Sequence, residues 1–179
     1  MINIENALVL AIDFQEKLMH LISENEEVTR KSSIFFQGCR ILEVPILTTQ
    51  QYTKGLGETI PAIKDALGDF EPVEKITFSC YRNAEFRDRL EKSGKKDIIV
   101  TGIEAHICVQ QTVLDLLDNG YSVFVLVDCV SSRFATDRKF STKRMSQAGA
   151  VFTTMESALF ELMVSADHPR RKEISNLVK

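Results

Sequence analysis

Apolar residues run along this chain in short continuous blocks, separated by stretches where apolar and charged positions recur at helical spacing. The blocks ALVLAID (7–13), VPILTTQQ (44–51), EKITFS (74–79), DIIVTGI (97–103), YSVFVLVD (121–128) and AVFTTME (150–156) predict six short strands. Several are apolar at successive rather than alternate positions, as in strands covered on both faces. The intervening pattern predicts helices over 26–42, 59–67, 83–93, 106–118, 138–148 and 156–166. Punctuation agrees: Gly94, Asn119-Gly120 and Gly149 sit where helices should close, and Pro61 falls in a first turn. Strands alternating with helices predict an α/β fold, three-layer α/β/α, with a doubly wound, six-stranded, mainly parallel sheet of the Rossmann-like kind. The charged tail HPRRKEISNLVK (168–179) is expected to form a short surface helix or a subunit contact.

Composition narrows the class. The length of 179 residues suits one domain, 1–179, with a sizeable core. A formal charge of −3, with no run of Lys or Arg, offers no field for gathering nucleic acid. No apolar stretch nears the roughly 20 residues that a membrane span needs. MINIENALVLAID lacks a basic leader and a cleavage site. A soluble, cytoplasmic protein acting on a small molecule is the expectation, with neither nucleic acid nor membrane as partner. Cys39, Cys80, Cys108 and Cys129 have no C-x-x-C spacing and are expected as free thiols. His20, His106 and His168 form no His-x-x-x-His pair, so no metal site is expected. KGLGETI has Gly55 and Gly57 in G-x-G spacing, but Ile60 stands where a dinucleotide motif needs its third Gly. No Arg follows Cys108 closely enough to hold phosphate, which disfavours a cysteine phosphatase.

In open parallel sheets, ligands bind beyond the carboxyl ends of the strands. The positions to inspect are therefore Asp13 and Phe14, Gln50 to Tyr52, Ser79 to Arg82, 102–108, and Asp128 to Arg133. Cys108 falls in the first turn of a helix that follows a strand end. Unpaired N–H groups there favour a thiolate, lower the thiol pKa and can hold an oxyanion. The other reading of Cys108 is plain packing. Asp13 ends an apolar strand, either as a cap for FQEKLMHLI or as a general base beside the thiol. Lys75 begins the run ITFS, either solvated or turned inward to steady Asp13 and a Cys108 thiolate.

Taken together, these segments resemble the isochorismatase-like cysteine hydrolase family. ALVLAIDFQ, VEKITFS, VTGIEAHICVQQTVLDLLDNGYSVFVLVDCVSS and AGAVFTTMES carry the resemblance over nearly the whole chain, and G-I-E-A-H-I-C-V is its most specific part. The resemblance implies catalytic roles for Asp13, Lys75 and Cys108: the Asp takes the thiol proton, the thiolate attacks an amide-type carbon, an amine leaves, and water releases the acyl group. It implies a cis peptide at Ile103–Glu104 and an oxyanion hole from the N–H groups of Glu104 and Cys108. It also implies a homo-oligomer. Members with a metal-dependent nicotinamidase site carry Asp and His after strand two, whereas TTQQYTKGLG has neither, so no metal or cofactor is expected. The alternatives are vinyl ether hydrolysis, as in isochorismate cleavage, and a non-catalytic relative that binds a metabolite. Phe14, Gln15, Gln51, Tyr52, Tyr81 and Arg82 are the candidate substrate contacts from the strand ends. Arg82 suits a substrate carboxylate or, equally, a surface contact, and His106 either lines the pocket or is hydrogen-bonded at the helix start.

Overall fold

The computed structural model describes residues 1–179. The first strand, β1 (Ala7–Ile12), is followed by a single turn α1 (Glu16–Met19) and the long α2 (Asn25–Ile41). β2 (Ile46–Gln51) leads to another single turn, α3 (Thr53–Leu56), then α4 (Pro61–Leu67), β3 (Val73–Lys75) and α5 (Ala84–Ser93). β4 (Asp97–Ile103) runs into a π-helical turn over Ala105–Val109, which continues as α6 (Gln110–Asp118). β5 (Ser122–Ser131), α7 (Ala135–Gln147), β6 (Val151–Thr153), α8 (Met155–Met163) and α9 (Arg171–Leu177) complete the chain.

All six strands are parallel, in the order β3-β2-β1-β4-β5-β6. The predicted doubly wound three-layer fold is therefore observed, with a sheet that is wholly rather than mainly parallel. Burial follows the period-two rule for strands. Ala7, Val9 and Ala11 of β1 lie in one core with residues of α2, α4, α8 and α9, such as Phe36, Ile63, Leu159 and Ile174. Leu8, Leu10 and Ile12 lie in the other, with Phe86 of α5, Val113 of α6 and Met145 of α7. Each strand face needs its own helical cover, which is why β1 and β4 read as continuous apolar runs. No helix is long and apolar enough to cross a membrane.

Four elements differ from the sequence expectation. β3 stops at Lys75, and residues 76–79 curl away as bends. β3 is an edge strand, and the carbonyls of Ile76, Thr77 and Phe78 accept hydrogen bonds from the side chains of Gln51 and Lys75 instead of from a neighbouring strand. α1 and α3 are too short for periodicity to reveal. The tail does form a helix, but Ile174 anchors it in the core.

The sheet order reverses between β1 and β4, so a crevice opens at their carboxyl ends, where such folds bind ligands. Gly102 makes the close approach of these two strands possible. It adopts φ +127°, and a Cβ there would lie 2.3 Å from the backbone oxygen of its partner Ile12. Gly102→Ala is expected to destabilise the fold by about 3 kcal/mol or more, because neither strand backbone can yield. The shift of the urea midpoint at neutral pH measures it, and a midpoint within error of wild type would refute this account.

Candidate active site

Asp13 directly follows β1 with φ +54°, a left-handed conformation that Asp tolerates better than most residues. Its side chain caps nothing, since α1 opens on Gln15. Instead Oδ1 accepts from the Thr49 hydroxyl at 2.7 Å, and Oδ2 accepts from Lys75 Nζ at 2.6 Å. Both charged side chains are fully buried. Lys75 also donates to Gln51 Oε1 at 2.7 Å and to the carbonyls of Phe78 and Thr77 at 3.2 and 3.4 Å. Gln51 is held by Gln15: its N–H donates to Gln15 Oε1 at 2.7 Å, and Gln15 Nε2 returns a bond to the Gln51 carbonyl at 3.0 Å. A buried ion pair is thus surrounded by satisfied polar groups, the arrangement that makes such a pair tolerable.

Cys108 stands in the π-helical turn after β4, 6 % exposed, with Asp13 and Lys75 as its charged neighbours. The Thr112 hydroxyl donates to the Cys108 carbonyl at 2.7 Å and accepts from the Cys80 N–H at 2.9 Å. This tethers the turn that carries Cys108 to the segment after β3. The Ile103–Glu104 peptide is cis. The Glu104 N–H has no acceptor within the chain. The Glu104 carboxylate is buried and accepts from the N–H and Nε of Arg133, both at 3.1 Å. His106 Nδ1 lies 2.9 Å from the Ser132 hydroxyl, so the ring is hydrogen-bonded at the helix start.

A cavity of about 80 Å³ reaches the thiol, lined by Leu18, Gln51, Leu56, Phe78, Glu104, Ile107 and Cys108. Of the six substrate contacts named from sequence, only Gln51 lines it. Phe14 is buried edge-to-face against Phe36, and Gln15 is committed to Gln51 and Gly57. Tyr52 is half exposed where α3 begins. Tyr81 packs on Tyr121, and Arg82 pairs with Asp115 through two bonds of 2.8 and 3.2 Å. Ile107 lies in the 102–108 stretch singled out from sequence, whereas Leu18, Leu56 and Phe78 escaped the reading because helix and loop geometry, not a strand end, brings them to the thiol. Thr49 had a signal: it is the register partner of Ile12, one residue before Asp13. No group of three or more His, Cys, Asp or Glu side chains converges in a metal-binding arrangement.

The electrostatics invert one expectation. Burial, and next the Asp13 carboxylate, push the Cys108 thiol well above its ordinary value, against the smaller opposing effect of Lys75. Cys80 rises to about 11, again chiefly through burial. For Lys75, burial acts downward, but the charge of Asp13, helped by the two thiols, outweighs it and raises the pKa. The resting site holds a protonated thiol beside a carboxylate–ammonium pair. It is not the preformed thiolate that the helix start suggested. Such an arrangement can deliver a thiolate only as the carboxylate takes its proton, which is general-base activation of a nucleophile.

A family model described as the isochorismatase domain matches residues 7–157. Isochorismatase domain-containing protein 1 of Danio rerio is 35% identical over 167 residues, covering 93% of this chain but 59% of its own length. The chain therefore spans about three-fifths of that relative. Isochorismatase domain-containing protein 2 of Danio rerio is 35% identical over 174 residues, 97% of this chain and 87% of its own. A solved structure described as the MAR1 ribonuclease of Caenorhabditis elegans superposes with a TM-score of 0.92 at 42% identity, covering 99% of this chain and 91% of its own. The YcaC gene product of Escherichia coli, described as an octameric hydrolase of unknown specificity, shares the fold with a TM-score of 0.89 at 24% identity, covering 98% and 86%.

Two outcomes are expected from the charges. Asp13→Asn removes the anion that opposes Cys108 ionisation and leaves the Lys75 cation facing the thiol. The pH midpoint of Cys108 alkylation by iodoacetamide should fall by about one unit or more, and a rise would refute this geometry. For stability, the raised thiol and ammonium values lend a contribution that is complete below the unfolded thiol value of 9.0. That contribution is lost as pH climbs past 9.0 towards the folded values. The urea midpoint should drop as pH rises above about 9, and drop less in Cys108→Ala.

Proposed function

The chain belongs to the isochorismatase family of hydrolases, and on that basis we propose that it is a cysteine hydrolase cutting a small amide or related C–N bond with Cys108, Asp13 and Lys75. The observation that supports this best is the buried Cys108 thiol beside the Asp13–Lys75 pair, at the end of an open cavity. Asp13 takes the thiol proton as sulfur attacks the carbonyl carbon. The oxyanion that forms meets the N–H groups of Glu104 and Cys108, the former free of any acceptor in the chain. The proton passes from Asp13 to the departing nitrogen, the C–N bond breaks, and an acyl thioester remains on Cys108. Water, deprotonated by Asp13, then attacks the thioester. The C–S bond breaks, the acid leaves, and the thiol regains its proton. Lys75 holds the Asp13 carboxylate in place and offsets the charge on sulfur.

The same site argues against the rivals. Vinyl ether cleavage of isochorismate would bring a dianion beside the Glu104 carboxylate, whose neighbouring cation, Arg133, is already bonded to it. A ribonuclease, as the Caenorhabditis elegans relative is described, would need cations free to meet phosphate, whereas Lys75 and Arg133 are each bonded to a carboxylate. The octameric Escherichia coli neighbour, together with the exposed Phe134 and Phe140, supports a homo-oligomer.

Ammonia release from a panel of primary amides tests the reading. Cys108→Ala is expected to abolish release, and Asp13→Asn to lower kcat by about a hundredfold to ten-thousandfold. Quenched turnover of wild type should carry an acyl adduct on Cys108 that hydroxylamine removes. Undiminished ammonia release by Cys108→Ala would overturn the proposal, as would RNA cleavage that depends on Cys108 in the absence of amide hydrolysis.

A further inference from the structure

The charges and walls of the cavity restrict what can occupy it, beyond naming the bond that is cut. Resting on the cysteine-hydrolase reading above, we propose that the substrate is a neutral primary amide with an apolar acyl group, and that the site excludes amides carrying a carboxylate.

The walls are the first constraint. Four of the residues lining the cavity, Leu18, Leu56, Phe78 and Ile107, are apolar, so the space beside the thiol suits an apolar acyl group.

Charge is the second. Two carboxylates and two cations lie at or beside the cavity, and each is already matched. Asp13 is bonded to Lys75 at 2.6 Å, and Glu104 to Arg133 at 3.1 Å. Arg82, the one cation that sequence offered for a substrate carboxylate, is held by Asp115. A carboxylate on the substrate would be desolvated beside Glu104 and Asp13 with no counter-ion left to meet it. A neutral amide meets no such penalty.

Hydrogen-bonding capacity is the third. The amide atoms of Gln51 are spoken for, Oε1 by Lys75 at 2.7 Å and Nε2 by the Ile76 carbonyl at 2.8 Å. The Glu104 N–H has no partner in the chain, and it can serve one carbonyl oxygen. Hydrolysis converts the neutral amide and water into a carboxylic acid and ammonia. At neutral pH the acid ionises, and the product becomes the species that this charge pattern rejects, which favours its release.

Two measurements test the proposal. The first compares kcat/KM for propionamide and succinamate. Propionamide should lead by about a hundredfold or more. The second needs no turnover. Iodoacetamide and iodoacetate have nearly the same shape and differ in charge. Their rate ratio at Cys108 should exceed the ratio at a free thiol in the unfolded chain by about tenfold or more. Faster hydrolysis of succinamate, or equal ratios for the two alkylating agents, overturns the charge claim while leaving the hydrolase reading intact. Failure to release ammonia from any amide, with the alkylation ratio as expected, overturns the hydrolase reading and the amide assignment with it.

Discussion

The carboxylate–ammonium bond between Asp13 and Lys75 is the constraint around which this end of the sheet is organised. Both side chains are fully buried, so either one alone would be an uncompensated charge in the core, at a cost of several kcal/mol. Their pairing requires that β1 and β3 end at the same level, with the middle strand β2 supplying the lining between them. Thr49 satisfies the second oxygen of Asp13, and Gln51 satisfies the second donor of Lys75. Gln15 then fixes Gln51 by a pair of bonds across the β1 loop. The early end of β3 follows from the same demand, because the carbonyls of 76–78 turn to these side chains rather than to a strand.

The charged pair and the thiol come from opposite halves of the sheet. Asp13 and Lys75 sit on the β1-β2-β3 half, and Cys108 on the turn after β4. β1 and β4 are neighbours only because the winding direction reverses between them. The close contact of Gly102 with Ile12 thus does two things: it seals the sheet at the switch point and brings the turn of 104–108 over the end of β1. A second tether, from Cys80 through Thr112 to the Cys108 carbonyl, ties the Cys108 turn to the segment after β3. The arrangement is cross-braced from both sides of the crevice.

Much of this was readable before any coordinates. β1 and β4 lie at the middle of the sheet and are buried on both faces, so their composition alone marked them as strands. Asp13 stood out because a charge at the end of such a run needs a partner. What could not be read depended on distances between side chains far apart in sequence. The end of β3, the engagement of Arg82 with Asp115, and the clamp of Arg133 on Glu104 are all set by partners across more than twenty residues or around a curled loop. The elevated thiol has the same origin. A helix start is visible in sequence, whereas the burial of Cys108 and its nearness to a carboxylate are tertiary facts that dominate the pKa.

That elevated thiol is a natural consequence of a site holding balanced charges. At rest, the Asp13 anion and Lys75 cation cancel, and the thiol is neutral. If Cys108 ionised with Asp13 still charged, two buried anions would share one cation, and the low-dielectric surroundings would penalise the excess. When Asp13 instead receives the thiol proton, as in the proposed reaction, the anion moves from oxygen to sulfur and the net charge stays zero. Lys75 then faces a thiolate in place of a carboxylate. The buried ammonium therefore serves both protonation states with little reorganisation, which is the condition under which fixed charges aid a reaction most. A lysine on β3 reaching Asp13 past β2, rather than a surface cation, meets that condition because water cannot compete for it.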